Sequence, residues 1–94
     1  MDAYLKKVFG SAYEQAKLVI FCESGSRHDA VSPTSDYGYF QINAVHFKNV
    51  LGDTREEKIA NLFNPYYNID FAFGLYQKNR WADWNMSYNC HRLK

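Results

Sequence analysis

Two of the ten carboxylates in this 94-residue chain stand where their chemistry can be set apart from the rest. Glu23 closes the apolar stretch Leu18-Val19-Ile20-Phe21-Cys22, just ahead of a stop at Gly25. A carboxylate at a helix C-terminus faces the negative end of the dipole, and apolar neighbours disfavour its charge further. Both effects hold a proton on Glu23 near neutral pH, as a general acid requires. Asp36 ends the turn-forming run Ser32-Pro33-Thr34-Ser35-Asp36, whose polar surroundings leave it ionised. Two carboxyls with pKa values pushed apart form the acid-plus-carboxylate arrangement of glycoside hydrolysis. Each also has a plain structural explanation, Glu23 pointing into water and Asp36 bonding its own turn. Of the remaining carboxylates, Glu14 and Glu57 read as caps, Asp2, Asp53 and Glu56 sit near helix starts, and Asp70 and Asp83 face water.

Four helices position these groups. The first runs from Asp2 to about Phe9 and stops at Gly10. The second opens on Ser11-Ala12-Tyr13-Glu14, a capping-box pattern, and runs to Glu23 or Ser24. The third begins with another such box, Thr54-Arg55-Glu56-Glu57. The fourth begins at Asn64-Pro65, a cap followed by proline at the first helical position. Between the second and third, Tyr37-Gly38-Tyr39-Phe40-Gln41-Ile42-Asn43 reads as a small hairpin or an irregular extended segment. Extended backbone places Tyr37, Tyr39, Gln41 and Asn43 on one face, with Phe40 and Ile42 opposite and in the core. The amides of Gln41 and Asn43 offer donors and acceptors together, which suits sugar hydroxyls, and they suit the hairpin's own backbone equally. The fold class is mostly α (α+β), a single domain over residues 1–94 with a minor β element.

Composition narrows the function. Hydrophobic residues at 47% and charged residues at 22% describe a folded chain, and 18% aromatics compensate for the small core of so short a domain. A net charge of +1, with the basic residues scattered, argues against a nucleic-acid binder. No apolar stretch approaches a membrane span, and the start lacks a secretory signal pattern. Two cysteines, Cys22 and Cys90, are consistent with one bridge or with two buried thiols. His28, His46 and His91 lie far apart and no zinc-ligand spacing occurs, so no metal or other cofactor is expected.

Glu23-Ser24-Gly25 followed in order by Asp36-Tyr37-Gly38-Tyr39-Phe40-Gln41-Ile42-Asn43 resembles the lysozyme-like superfamily of peptidoglycan-cleaving enzymes. The likeness is to animal c-type lysozymes and to bacterial or phage transglycosylase-like domains. Trp81-Ala82-Asp83-Trp84 is similar to a Trp-x-x-Trp on the C-terminal side of that family, so the matched segments span about Ser11 to Trp84. The resemblance implies a lysozyme-like fold, Glu23 as catalytic acid and base, and Asp36 as second carboxylate. It also implies Gln41, Asn43 and Tyr39 along the sugar cleft and Trp81 as the apolar wall beside Glu23. A Cys22–Cys90 bridge would then tie the catalytic helix to the tail. The chain departs from the family in a shorter stretch between Glu23 and Asp36, in His46 and Phe47 where c-type enzymes carry tryptophans, and in Asn79-Arg80-Trp81 where many transglycosylases carry Ala-Tyr-Asn. The missing disulfides of the animal enzymes point to a bacterial or phage relative.

These implications lead to a muramidase acting as a monomer on peptidoglycan glycan strands, outside the cytoplasmic membrane. A lytic transglycosylase, in which Glu23 works alone, is the first rival, and an inactive glycan-binding module the second. The discriminating residue between the first two is Asp36.

Overall fold

A computed structural model describes residues 1–92, leaving the last two residues of the expected domain outside the described ones. Helix α1 (Asp2–Phe9) buries Leu5 and Phe9, one turn apart on the same face, and ends at Gly10 with φ 54°. A 3₁₀ turn, Gly10–Ala12, carries the chain directly into α2 (Tyr13–Ser24). That turn removes the capping box expected at Ser11: no side chain caps α2, because its entry is already helical. Helix α2 buries Ala16, Val19 and Ile20 at helical spacing and stops at Gly25 in the left-handed region (φ 63°), whose N–H bonds the Phe21 carbonyl.

The two caps expected further on are present. Thr54 Oγ1 accepts from the Glu57 N–H at the start of α3 (Arg55–Phe63), while Glu57 reaches back to the Thr54 N–H. Asn64 Oδ1 accepts from the amides of Tyr66 and Tyr67, opening α4 (Pro65–Asn79). Two 3₁₀ segments, Ala44–Asn49 and Ala82–Ser87, and a short closing helix α5 (Tyr88–His91) complete the chain. Sequence pattern did not reveal these last three, since one or two turns leave too few positions for a periodic signal.

The Tyr37–Asn43 segment is a hairpin, not an extended strand. β1 (Asp36–Tyr37) and β2 (Ile42–Asn43) pair antiparallel, Asp36 opposite Asn43 and Tyr37 opposite Ile42. Positive φ at Gly38 (80°) and Gln41 (51°) turns the chain between them. The turn cancels the single face expected for Tyr37, Tyr39, Gln41 and Asn43. Tyr37 goes into the core with Phe40 and Ile42, Gln41 and Asn43 line one cleft, and Tyr39 lies apart from them.

The core gathers α1, α2, α4 and the hairpin around aromatic rings. Phe9 meets Phe40, Phe73, Tyr76 and Trp81 at centroid distances of 5.1–5.8 Å. Asn68, fully buried on α4, ties the hairpin to this core. Its Oδ1 accepts from the Phe40 N–H, and its Nδ2 donates to the carbonyls of Tyr37 and Leu62. Gly38 lies so close to this amide that a Cβ there would fall 2.3 Å from both Asn68 Nδ2 and the Leu62 oxygen. Replacing Asn68 with alanine takes a hydrogen-bond partner from three backbone groups, and each buried group left unsatisfied costs about 1–3 kcal/mol. Asn68→Ala is therefore expected to lower stability by roughly 3 kcal/mol or more in urea unfolding.

Candidate active site

Glu23 lies at the end of the α2 stripe that includes Ala16, Val19 and Ile20, seven residues after Ala16 and four after Val19. That register turns it towards the core face and leaves it half-buried at the mouth of a cleft. The cleft, about 220 Å³, is lined on the hairpin side by Thr34, Asp36, Gln41, Ile42 and Asn43. His46, Leu75, Asp83, Trp84 and Met86 complete it.

The surroundings of the two carboxyls push their pKa values in opposite directions. Burial raises the Glu23 pKa above the ordinary glutamate value, and Asp36 adds to the rise. A hydrogen bond from the Ser87 hydroxyl and the nearby His91 oppose it without reversing it. For Asp36 burial also pushes upward, but three donors outweigh it and bring its pKa below the ordinary aspartate value. Ser32 Oγ and Thr34 Oγ1 donate to Oδ2 at 2.5 and 2.6 Å, and Asn43 Nδ2 donates to Oδ1 at 2.8 Å. Protonation is thus favoured on one wall of the cleft and disfavoured on the other.

The expected amides line the cleft with much of their hydrogen-bonding capacity already used. Asn43 donates to Asp36 and to the Thr34 carbonyl, while its Oδ1 accepts from the Val45 N–H and caps the Ala44–Asn49 turn. Gln41 Nε2 donates to the carbonyls of Ala30 and Gly38. Both side chains therefore hold the hairpin, the alternative that their chemistry allowed.

Two expected residues lie elsewhere. Tyr39 meets His28 edge-on and lines a separate depression with Leu5, Ile20 and Ile69, because the turn at Gly38 points it away from Glu23. Trp81 stacks on Phe9 at 5.8 Å and packs 4.6 Å from Tyr76, so it serves the core and does not line the cleft. The tryptophan in the cleft wall is Trp84, three residues on, whose Nε1 donates to the Phe40 carbonyl at 2.8 Å.

Sequence reasoning missed Ser32, Thr34, Trp84 and Ser87. The alternation Ser32-x-Thr34-x-Asp36 was a signal for the first two. Ser87-Tyr88-Asn89 differs from the Ala-Tyr-Asn sought at Asn79-Arg80-Trp81 only in its first residue, and it sits against α2. Cys22 and Cys90 form a disulfide with their Cα atoms 6.0 Å apart, fastening this segment to α2 beside Glu23. Among the described residues no group of three His, Cys, Asp or Glu side chains is placed to hold a metal ion, and no helix is long and apolar enough to cross a membrane.

A mostly helical domain whose small hairpin faces a helix-ending glutamate across a cleft has the architecture of the lysozyme-like superfamily. The chain matches the family model of the transglycosylase SLT domain over residues 3–92 and belongs to that family. Membership implies a peptidoglycan-cleaving enzyme of lytic transglycosylase or lysozyme-like type, for which a periplasmic or extracellular place of action fits. Comparisons with curated proteins and with solved structures give no significant match.

The opposed electrostatics have a measurable consequence for stability. A native pKa raised above the unfolded one favours folding below the unfolded value, and that contribution is lost as pH rises through the native value. Ionised Glu23 is thus a burden on the fold at neutral pH. Glu23→Gln is expected to melt above the wild type near pH 7 and level with it at about pH 3, where both side chains are neutral. Differential scanning calorimetry at the two pH values checks this.

Proposed function

We propose that this domain cleaves the β-1,4 bond between N-acetylmuramic acid and N-acetylglucosamine by hydrolysis, with Glu23 as general acid and base and Asp36 as the second carboxylate. The observation that carries the reading is the opposite protonation bias of two carboxyls lining one cleft. Glu23 gives its proton to the glycosidic oxygen as the bond to the muramic acid C1 breaks. Ionised Asp36, fixed by Ser32, Thr34 and Asn43, stabilises the positive charge that develops at the sugar ring. Glu23, now a carboxylate, removes a proton from the water that attacks C1 and returns to its starting form. Gln41 and Asn43 support the cleft by shaping the hairpin, and Trp84 supplies the apolar surface beside Glu23. Tyr39 and Trp81 have no part in this reading.

One observation favours a second reading, lytic transglycosylation. Both Asp36 oxygens already accept hydrogen bonds from the hairpin, an arrangement that also suits a carboxylate whose task is to fold the turn. In that case the muramic acid's own C6 hydroxyl attacks C1, Glu23 takes its proton, and the product is a 1,6-anhydro sugar. Family membership is compatible with either outcome.

Mass spectrometry of fragments released from purified peptidoglycan separates the two. Hydrolysis predicts reducing-end muropeptides, with release reduced about 10²–10⁴-fold in Glu23→Gln. Asp36→Asn is expected to lower the rate by about 10²-fold or more and to remove the acidic limb of the pH profile. Anhydro-muropeptides, with Asp36→Asn active within a few-fold of wild type, would replace hydrolysis by transglycosylation. Equal release by wild type and Glu23→Gln would remove Glu23 from the reaction.

A further inference from the structure

Among the described residues, Ser87 is the one side chain that hydrogen-bonds the Glu23 carboxyl. Its Oγ also lies 3.3 Å from the Trp84 carbonyl oxygen. A hydroxyl has one proton to give and lone pairs to receive, so it cannot donate to both oxygens at once. The choice between them follows from the state of Glu23. Against the carboxylate, Ser87 donates to Oε2. Against the carboxylic acid, Oγ accepts a hydrogen bond from the carboxyl O–H and turns its own proton towards the Trp84 carbonyl. Either way, one hydrogen bond joins residues 23 and 87.

The surrounding structure fixes the distance over which this reversal operates. Cys90, one helical turn after Ser87, is bonded to Cys22, the residue before Glu23. His91 is fully buried; its Nε2 donates to the Trp84 carbonyl at 3.1 Å, and Gln15 of α2 bonds both its ring and its backbone oxygen. The segment that carries Ser87 is therefore anchored to α2 on two sides.

We propose that Ser87 is a positioning residue for Glu23, its hydroxyl reversing direction so that the acid and base forms of the carboxyl are held in the same orientation. This rests on the reading of Glu23 as the acid and base of the reaction. A proton donor that must become an acceptor within one turnover gains from a partner able to do the opposite. An ammonium donor in place of Ser87 would favour the carboxylate alone. The other charged or titratable groups that face Glu23 are His91 from α5 and Asp36 from β1, with Asp83 and His46 lining the same cleft.

The test uses Ser87→Ala and Ser87→Gly, which remove the hydroxyl, and Ser87→Thr, which keeps it. Two readouts are the pH profile of kcat/KM on peptidoglycan and the ¹³C-NMR titration of the Glu23 side-chain carboxyl, which needs no substrate. The hydroxyl-free variants are expected to lose about tenfold in kcat with KM unchanged, the scale of one hydrogen bond to a charged group. The Glu23 titration midpoint and the alkaline limb of the profile move upward together, because the carboxylate has lost its donor. Threonine restores the rate and both midpoints. A Glu23 titration unchanged in the hydroxyl-free variants, or a threonine variant that behaves as they do, overturns the proposal. Full activity in Glu23→Gln overturns the catalytic reading and the proposal with it. An inactive Glu23→Gln beside fully active hydroxyl-free variants overturns the role of Ser87 alone.

Discussion

Much of the molecule converges on the peptide unit of one residue, Phe40. Its N–H is held by Asn68 of α4 and its carbonyl by the indole of Trp84, so the hairpin turn is gripped from both sides. Its ring is fully buried between Phe9 and Trp84. Burying a turn is costly unless every backbone group finds a partner, and here Asn68 and Trp84 supply them. In return the turn fixes where β1 and β2 begin and end, and hence where Asp36 stands relative to α2.

From that anchorage the cleft acquires two walls of opposite character. The α2 wall is made by helical register, which sends a glutamate along a line otherwise occupied by Ala16, Val19 and Ile20. The hairpin wall is made by short polar side chains, three of which satisfy one aspartate. Low polarity on one side and dense donation on the other bias the protonation of two similar groups in opposite directions. The disulfide and the buried His91 then hold the closing segment against the α2 wall, and with it Trp84 and Ser87.

Local rules carried the reading of the sequence wherever a signal is confined to a few adjacent residues. Thr54 with Glu57, Asn64 with Pro65, and the glycines at 10 and 25 mark helix ends through chemistry that acts within one turn. The same rules failed at Ser11, where an uninterrupted helical entry left nothing to cap. Tyr39 and Trp81 lie away from the cleft for a different reason. Whether the hairpin turns at Gly38 or runs extended, and which of two nearby tryptophans meets the cleft, depends on contacts across the whole fold. Asn68, 28 residues from Phe40 in sequence, has no local signature at all.

The order in which the walls are made has a bearing on biosynthesis. Glu23 and the hairpin emerge early, but Trp84, Ser87 and Cys90 lie within the last dozen residues of the described chain. A nascent chain that stops short of them carries the glutamate without its wall, its hydroxyl or its covalent fastening. The cleft therefore comes together only when translation of this domain is nearly finished, and its disulfide closes only in an oxidising compartment.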